Sequence, residues 1–274
     1  MARYQCSLGD DLLQKAAKEL NEPLDNAERL QAIDTLRESF DTSKYGDLIR
    51  CDDAFLLRFL RARKFNQERA LQVLQNYHSI RKEFREVFSM VEEPQCLKEV
   101  METGFMYAVN GKSRNGQGIL IYRPRYGQNI SMYQLMACGI LYVEQMLEDE
   151  EYQICGNLTV DDCGEMSLRP VFQMPLKGAR KFNLLWQDSM PVRIKNVYLF
   201  NEGRVFDFVF TIFKPFMKKK LKKRIKLCGK DYTDLHAEVD PALLPPEFQG
   251  TGPDMKTAAT TWVNKVQENW QKPE

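Results

Sequence analysis

The chain has 274 residues, 43% hydrophobic and 28% charged, with 39 Lys and Arg against 38 Asp and Glu for a net charge of +1. That balance excludes a partner selected by bulk charge, and the length suits one large domain, or one domain with a smaller helical neighbour. No run approaches the ~18 apolar residues of a membrane span. The opening MARYQCSLGDDLLQK lacks the apolar core of a signal peptide and residue 2 is Ala, so neither a leader nor a lipid anchor is expected. Seven cysteines form no CxxC pair and leave one over, which points to reduced thiols in the cytosol.

The first ninety residues predict helices. In NAERLQAIDTLRESF, Leu30, Ile33, Leu36 and Phe40 mark one face. Asp52 and Asp53 can cap AFLLRFLRARKF, whose apolar set is Phe55, Leu56, Phe59 and Leu60. Asn66 can cap a third helix that turns Leu71, Leu74, Tyr77 and Phe84 inward. From Phe105 the period changes. Tyr107–Val109 and Gly118–Tyr122 predict two strands around a loop with turn signals at Asn110-Gly111 and Asn115-Gly116. A helix over 132–148 comes next, then a strand near 158–161, a helix over 176–186 and a strand at 194–200. Strands alternating with helices predict an α/β domain with a largely parallel sheet. Residues 240–248 form an irregular closing loop, and a last helix runs over 255–271.

Between Val205 and Lys230 an aromatic run, VFDFVFTIF, passes directly into a basic one, MKKKLKKRIK. Phe206, Val209, Phe210 and Phe213, with Phe208 and Ile212, make a helix with few polar faces, which must be buried or must cover something apolar. Met217, Leu221 and Ile225 recur every four residues, predicting an apolar stripe on a helix otherwise ringed by cations. A basic amphipathic helix of this kind suits an anionic membrane surface, where each Lys or Arg contributes about 1 kcal/mol.

Enzymatic chemistry finds little support, and no catalytic or metal-binding residue is assigned. The two histidines, His78 and His236, have no Cys or acid at ligand spacing. Gly111-Lys112-Ser113 fails as a phosphate loop, because Met106 stands where glycine is required and a strand comes after it. Asp161, Asp162 and Cys163 lie at a strand's C-terminal end, where α/β sites gather, yet an acidic pair there reads as a strand-end cap. Nucleic acid is not expected as a partner, since the aromatics are not interleaved with cations.

Read in order, DDAFLLRFLRARKFN (52–66), LEDEEYQICG (147–156), QDSMPVRIKNVYLFNEG (187–203), FKPFMKKKLKKRIKLCGKD (213–231) and LLPPEFQG (243–250) resemble the CRAL-TRIO lipid-transfer family. Within it they are most similar to the group of the α-tocopherol transfer protein, cellular retinaldehyde-binding protein and clavesin. The resemblance covers nearly everything from residue 25 to 252. It implies a helical N-terminal subdomain (1–90), a lipid-binding domain with a mostly parallel sheet flanked by helices (91–252) and a C-terminal helical extension (253–274). It also implies a deep pocket for one hydrophobic lipid, closed by a gate helix carrying Phe206, Val209, Phe210 and Phe213.

By the same resemblance, Arg63, Arg193, Lys195, Lys220 and Arg224 match positions that grip a phosphoinositide headgroup such as phosphatidylinositol bisphosphate. The last two are expected four apart on one helical face. Pocket positions match Phe105, Gly139, Val143, Phe182, Leu185, Met190, Val192, Ile194 and Val197. Two departures stand out: the tocopherol protein has serines at the positions of Gly139 and Val143, and the family has Gly-Gly where this chain has Gln249-Gly250. The resemblance thus implies a non-enzymatic, monomeric, cytoplasmic carrier of a tocopherol-like (vitamin E) or retinoid-like lipid, without another cofactor. It would dock transiently on endosomal or plasma membranes. The alternative is a phosphoinositide-binding trafficking adaptor without transferable cargo.

Overall fold

The computed structural model describes residues 3–45, 50–123, 130–172 and 176–270. Six helices come first: α1 Asp10–Leu20, α2 Asn26–Ser39, α3 Asp53–Ala62, α4 Gln67–Glu83, α5 Arg85–Glu92 and α6 Lys98–Glu102. Side-chain oxygens satisfy the amide groups that a helix start leaves free. Asp25 accepts from Ala27 N and Glu28 N, Asp52 from Phe55 N at 3.0 Å, and Asn66 from Arg69 N at 2.9 Å. Ile33, Leu36 and Phe40 of the α2 segment, Phe55, Leu56, Phe59 and Leu60 of α3, and Leu74, Tyr77 and Phe84 in and just after α4 are buried in one continuous core. Sequence patterning did not single out α1, although Leu12, Ala16 and Leu20 recur every four residues and pack together on one face.

The sheet has five strands in the order β1 Met106–Lys112, β2 Gly118–Tyr122, β3 Asn157–Asp162, β4 Ile194–Phe200 and β5 Ile225–Leu227. β1 pairs antiparallel with β2, and all other pairings are parallel. The crossovers are helical: α7 Met132–Met146 and α8 Glu150–Cys155 between β2 and β3, α9 Arg169–Phe172 and α10 Leu176–Leu184 between β3 and β4. α11 Arg204–Phe213 and α12 Lys219–Lys222 lie between β4 and β5, and α13 Thr233–Glu238 and α14 Met255–Trp270 complete the chain. Ser131 and Gln134 close a reciprocal capping box at the start of α7.

Register divides the sheet into two unlike faces. On one lie Leu158, Val160, Tyr198 and Phe200, each 0% exposed, with Phe200 stacked on Tyr232 at 4.6 Å and against Phe248 at 5.9 Å. On the other lie Leu120, Thr159, Val197 and Ile225 in one row and Tyr122, Asp161, Leu199 and Leu227 in the next. Here Thr159, Asp161 and Val197 keep accessible surface although they belong to the two inner strands. α11 covers this second face: Phe206 is buried with Leu199 and Cys163, and Phe210, Val197 and Ile225 pack against them.

Two local expectations are corrected. Asn110-Gly111 is not a turn but part of β1, where the register shifts between Ala108 and Lys112; the turn lies at 113–117, with Gly116 at φ +77°. The long basic helix is also absent. α12 has four residues, and Met217, Leu221 and Ile225 do not form a stripe, because Ile225 enters β5 and pairs with Val197. A β-branched residue at an open parallel edge gains ladder hydrogen bonds, whereas extending a run of lysines as helix would stack like charges at i, i+4.

Candidate functional site

A cleft of about 860 Å³ lies between the helical N-terminal part and the β4–β5 side of the sheet, and Arg63, Arg193, Lys195, Lys220 and Arg224 all line it. They arrive from three directions. Arg63 caps the C-terminus of α3, and its Nη2 donates to Gln187 O at 3.0 Å. Arg193 and Lys195 flank the first residue of β4, and the Arg193 guanidinium donates to the carbonyl of Ile154. This crossing needs Gly156, at φ +88°, because a Cβ there would stand 2.4 Å from Arg193 O. Arg224 comes after α12 and donates to the carbonyl of Ile194. Lys220 and Arg224 therefore do not share a helical face, since the helix ends between them; they converge on the cleft from a helix and a strand entrance.

Burial and like charge set the electrostatics of the cleft. All five cations are held below their ordinary values, with burial the first cause in each. Lys220 is pushed down further by Arg224, Lys64, Arg193 and Arg63, and Lys195 by Arg193 and Arg224. Among the described residues, Glu19 of α1 is the acid that meets the β4 cations, its Oε2 lying 3.2 Å from Lys195 Nζ and 3.5 Å from Arg193 Nη2. Asp188, also in the lining, is paired with Lys218. Guanidinium forks and ammonium points gathered in a half-dry cleft match a multiply charged phosphate group.

The cleft is joined to α11 by Gln187, in the π-turn Leu185–Ser189 that continues α10. Its carbonyl accepts from Arg63, its Oε1 accepts from Lys218 N at 2.7 Å, and its Nε2 donates to Phe216 O at 3.1 Å. Phe216 closes the short turn Lys214–Phe216 that continues α11. On α11 itself, Phe206 stacks on Phe210 at 5.3 Å and Phe213 meets Phe182 edge-on at 5.2 Å, with Val209 also buried. Phe208 faces outward, 44% exposed, and lies 5.8 Å from Phe172, which is 69% exposed. An outward aromatic pair costs solvation in water and gains it against lipid.

The nine pocket positions are distributed over two clusters. Phe105, Val143, Leu185, Met190 and Val192 are buried in the main core, with Phe182 and Ile194 packed against it. Gly139 faces Trp186, whose Cζ2 would be 3.3 Å from an added Cβ. Val197 lies beneath α11 in the smaller cluster. Val192 and Ile194 also border the basic cleft. Asp161 and Asp162 are not a pair: alternation sends them to opposite faces of the sheet. Asp162 accepts from Gly164 N and Asn201 Nδ2 and lies 2.9 Å from Arg123 Nε.

Glu19, Gln187, Lys64 and Arg69 escaped sequence reading, since no local pattern signals a residue whose partners lie more than a hundred positions away. His78 is buried and pushed down to about 4 by burial, then by Arg81 and Lys82. Nε2 of His236 lies 2.9 Å from Phe248 O. Among the described residues, no group of His, Cys, Asp and Glu is placed to hold a metal, and no helix is long and apolar enough to cross a membrane.

Comparison with known proteins gives this geometry a family. The CRAL/TRIO domain profile matches residues 102–250 and the CRAL/TRIO N-terminal domain profile residues 11–76. The chain is 37% identical over 262 residues to alpha-tocopherol transfer protein-like from Homo sapiens, covering 94% of this chain and 75% of that one. It is 32% identical over 266 residues to Clavesin-1 from Xenopus laevis, covering 95% and 80%. The solved structure of Sfh5 is a more distant likeness, with a TM-score of 0.47 and 14% identity over 97% of this chain and 99% of that one. The chain belongs to the CRAL/TRIO family of lipid-binding proteins.

Proposed function

We propose that the protein carries one hydrophobic lipid between membranes and docks through a phosphoinositide headgroup held by Arg63, Arg193, Lys195, Lys220 and Arg224. The observation that carries this reading is the cationic cleft, in which burial depresses all five cations and repulsion from neighbouring cations adds to it at Arg63, Arg193, Lys195 and Lys220. The cleft lies one residue, Gln187, from the end of an aromatic helix that covers half the sheet. A headgroup would hold the protein against a bilayer, where the exposed Phe172–Phe208 pair enters the interface and α11 swings out to expose the cargo space. Phe105, Gly139, Val143, Phe182, Leu185, Met190, Val192, Ile194 and Val197 would line that space. A tocopherol-like lipid is the first candidate, given the name of one relative, and a retinoid-like lipid is the second. Residence is cytoplasmic, with transient association to endosomal or plasma membranes.

The test is native mass spectrometry of protein purified from its own tissue, with extraction of bound small molecules. A stoichiometric hydrophobe supports the carrier. An empty protein that also refuses tocopherol, retinoids and phospholipids on titration, while still binding phosphoinositide vesicles, replaces it with a trafficking adaptor. The paired change Phe206→Asp and Phe210→Asp is expected to slow transfer between vesicles by about tenfold or more, as two apolar anchors worth ~1.5–3 kcal/mol each are lost. Headgroup binding should change less; an unaltered transfer rate removes α11 as the gate.

A further inference from the structure

The floor beneath α11 holds one group that an apolar container does not need. Asp161 sits in β3, in the sheet's second inner row, between Tyr122 of β2 and Leu199 of β4. Its Oδ1 is completely enclosed, and among the described residues its carboxyl has no hydrogen-bond partner. The residue nevertheless keeps some accessible surface, as do Thr159 and Val197 on the same face. The lid above supplies no counter-charge, since α11 turns Phe206, Val209 and Phe213 inward while Arg204 and Asp207 stay in solvent. Among the described residues, Tyr122 on β2 and Cys163 just past β3 are titratable groups beside it. Burial, and then Asp161, Glu202 and Asp162, push the Cys163 thiol up.

We propose that Asp161 reads the polar end of the cargo, which is a lipid tipped with a hydroxyl or carbonyl oxygen that accepts a hydrogen bond from the protonated carboxyl. The inference rests on the carrier reading and narrows its cargo. Burial raises the Asp161 carboxyl to about 8, so at neutral pH it holds its proton and can donate. An acid whose folded value lies above its unfolded one takes stability away from about pH 4 upward, and the loss is complete above about pH 8. Asp161 thus lowers stability where it stands, and an unpaired donor beside an apolar space is offset only when an acceptor enters. A hydrocarbon tail can fill that space but leaves the carboxyl unsatisfied.

A matched pair of probes decides it: phytol and its hydrocarbon counterpart phytane, titrated into the full-length protein between pH 6.5 and 9.5. The wild type is expected to prefer phytol about tenfold, near the upper worth of one hydrogen bond, and to strengthen that preference as pH rises through 8, where the carboxylate accepts from the hydroxyl instead. In Asp161→Asn, whose amide donates at every pH, the preference should persist and its pH dependence vanish. Asp161→Leu should bind the two lipids equally and unfold at higher urea concentration than the wild type at pH 7. A preference unaltered in Asp161→Leu overturns the inference and leaves the carrier standing. So does tighter binding of the amine sphingosine than of phytol, because an ion pair would then be the recognised feature. Refusal of both phytol and phytane by a folded protein overturns the carrier reading and this inference with it.

Discussion

Two regions of this molecule gather arginines, and they treat them oppositely. In the helical part, Glu22 receives Arg29 Nε at 2.9 Å and Arg61 Nε at 2.8 Å, with all three side chains 0% exposed. The remaining donors of Arg61 reach Glu150 Oε2 at 2.9 Å, Gln153 Oε1 at 2.8 Å and the Tyr4 hydroxyl at 3.3 Å. Two residues on, among the described residues, Arg63 hydrogen-bonds only to backbone carbonyls, and in the cleft it has Asp188 as a nearby acid but no ion pair with it. The pairing shows in the titration: Arg61 is raised, by Glu22 against the pull of burial, whereas Arg63 is lowered, with burial the leading cause. Completed charges fasten α3 to α8. On the proposed function the incomplete ones serve a ligand, and the contrast then runs within the tripeptide RAR.

The largest blow to this contrast falls on the completed side. Glu22→Leu would strand two buried guanidinium groups, and removing one partner of a buried pair costs about 3–5 kcal/mol. The urea midpoint should drop accordingly. The incomplete side should behave in reverse. Lys220→Ala with Arg224→Ala should weaken binding to phosphoinositide vesicles about thirtyfold, at roughly 1 kcal/mol per cation, while stability holds or rises as like charges separate. Unchanged vesicle binding in that double variant would remove the headgroup assignment. The smallest effect comes from the acid that intrudes on the cluster. Glu19→Gln should tighten vesicle binding a few-fold, because Lys195 and Arg193 would no longer be shared with α1, and the gain should fade at high salt. Weaker binding instead would make Glu19 a brace for the site, not a competitor.

Much of this was legible in the chain, for reasons that can be named. Caps at Asp52 and Asn66 are local chemistry, and β4 fell on its expected residues because its signals are short-range. The five cations could be chosen one by one from the family's motifs. Their convergence could not, since periodicity assigned Lys220 and Arg224 to a helix that the sheet edge interrupts. Glu19 and Gln187 act through partners in distant segments, where no spacing rule reaches. Asp161 was visible as a residue but not as a floor position. Paired by eye with Asp162, it was separated from it only by the alternation of the strand.

Gln187 has a thermodynamic consequence. Gln187 ties Arg63 in the cleft through its carbonyl, and Lys218 and Phe216 at the end of α11 through its side-chain amide, so any ligand that rearranges this residue at one end changes the free energy of the other. The exchange is symmetric by necessity. If a bound headgroup loosens the cargo by some factor, the cargo-laden protein must bind the headgroup more weakly than the empty one by that same factor. A membrane rich in the headgroup would then retain emptied carriers and let laden ones go, which sets where cargo is exchanged, while the direction of net flow follows the cargo's own gradient between the membranes.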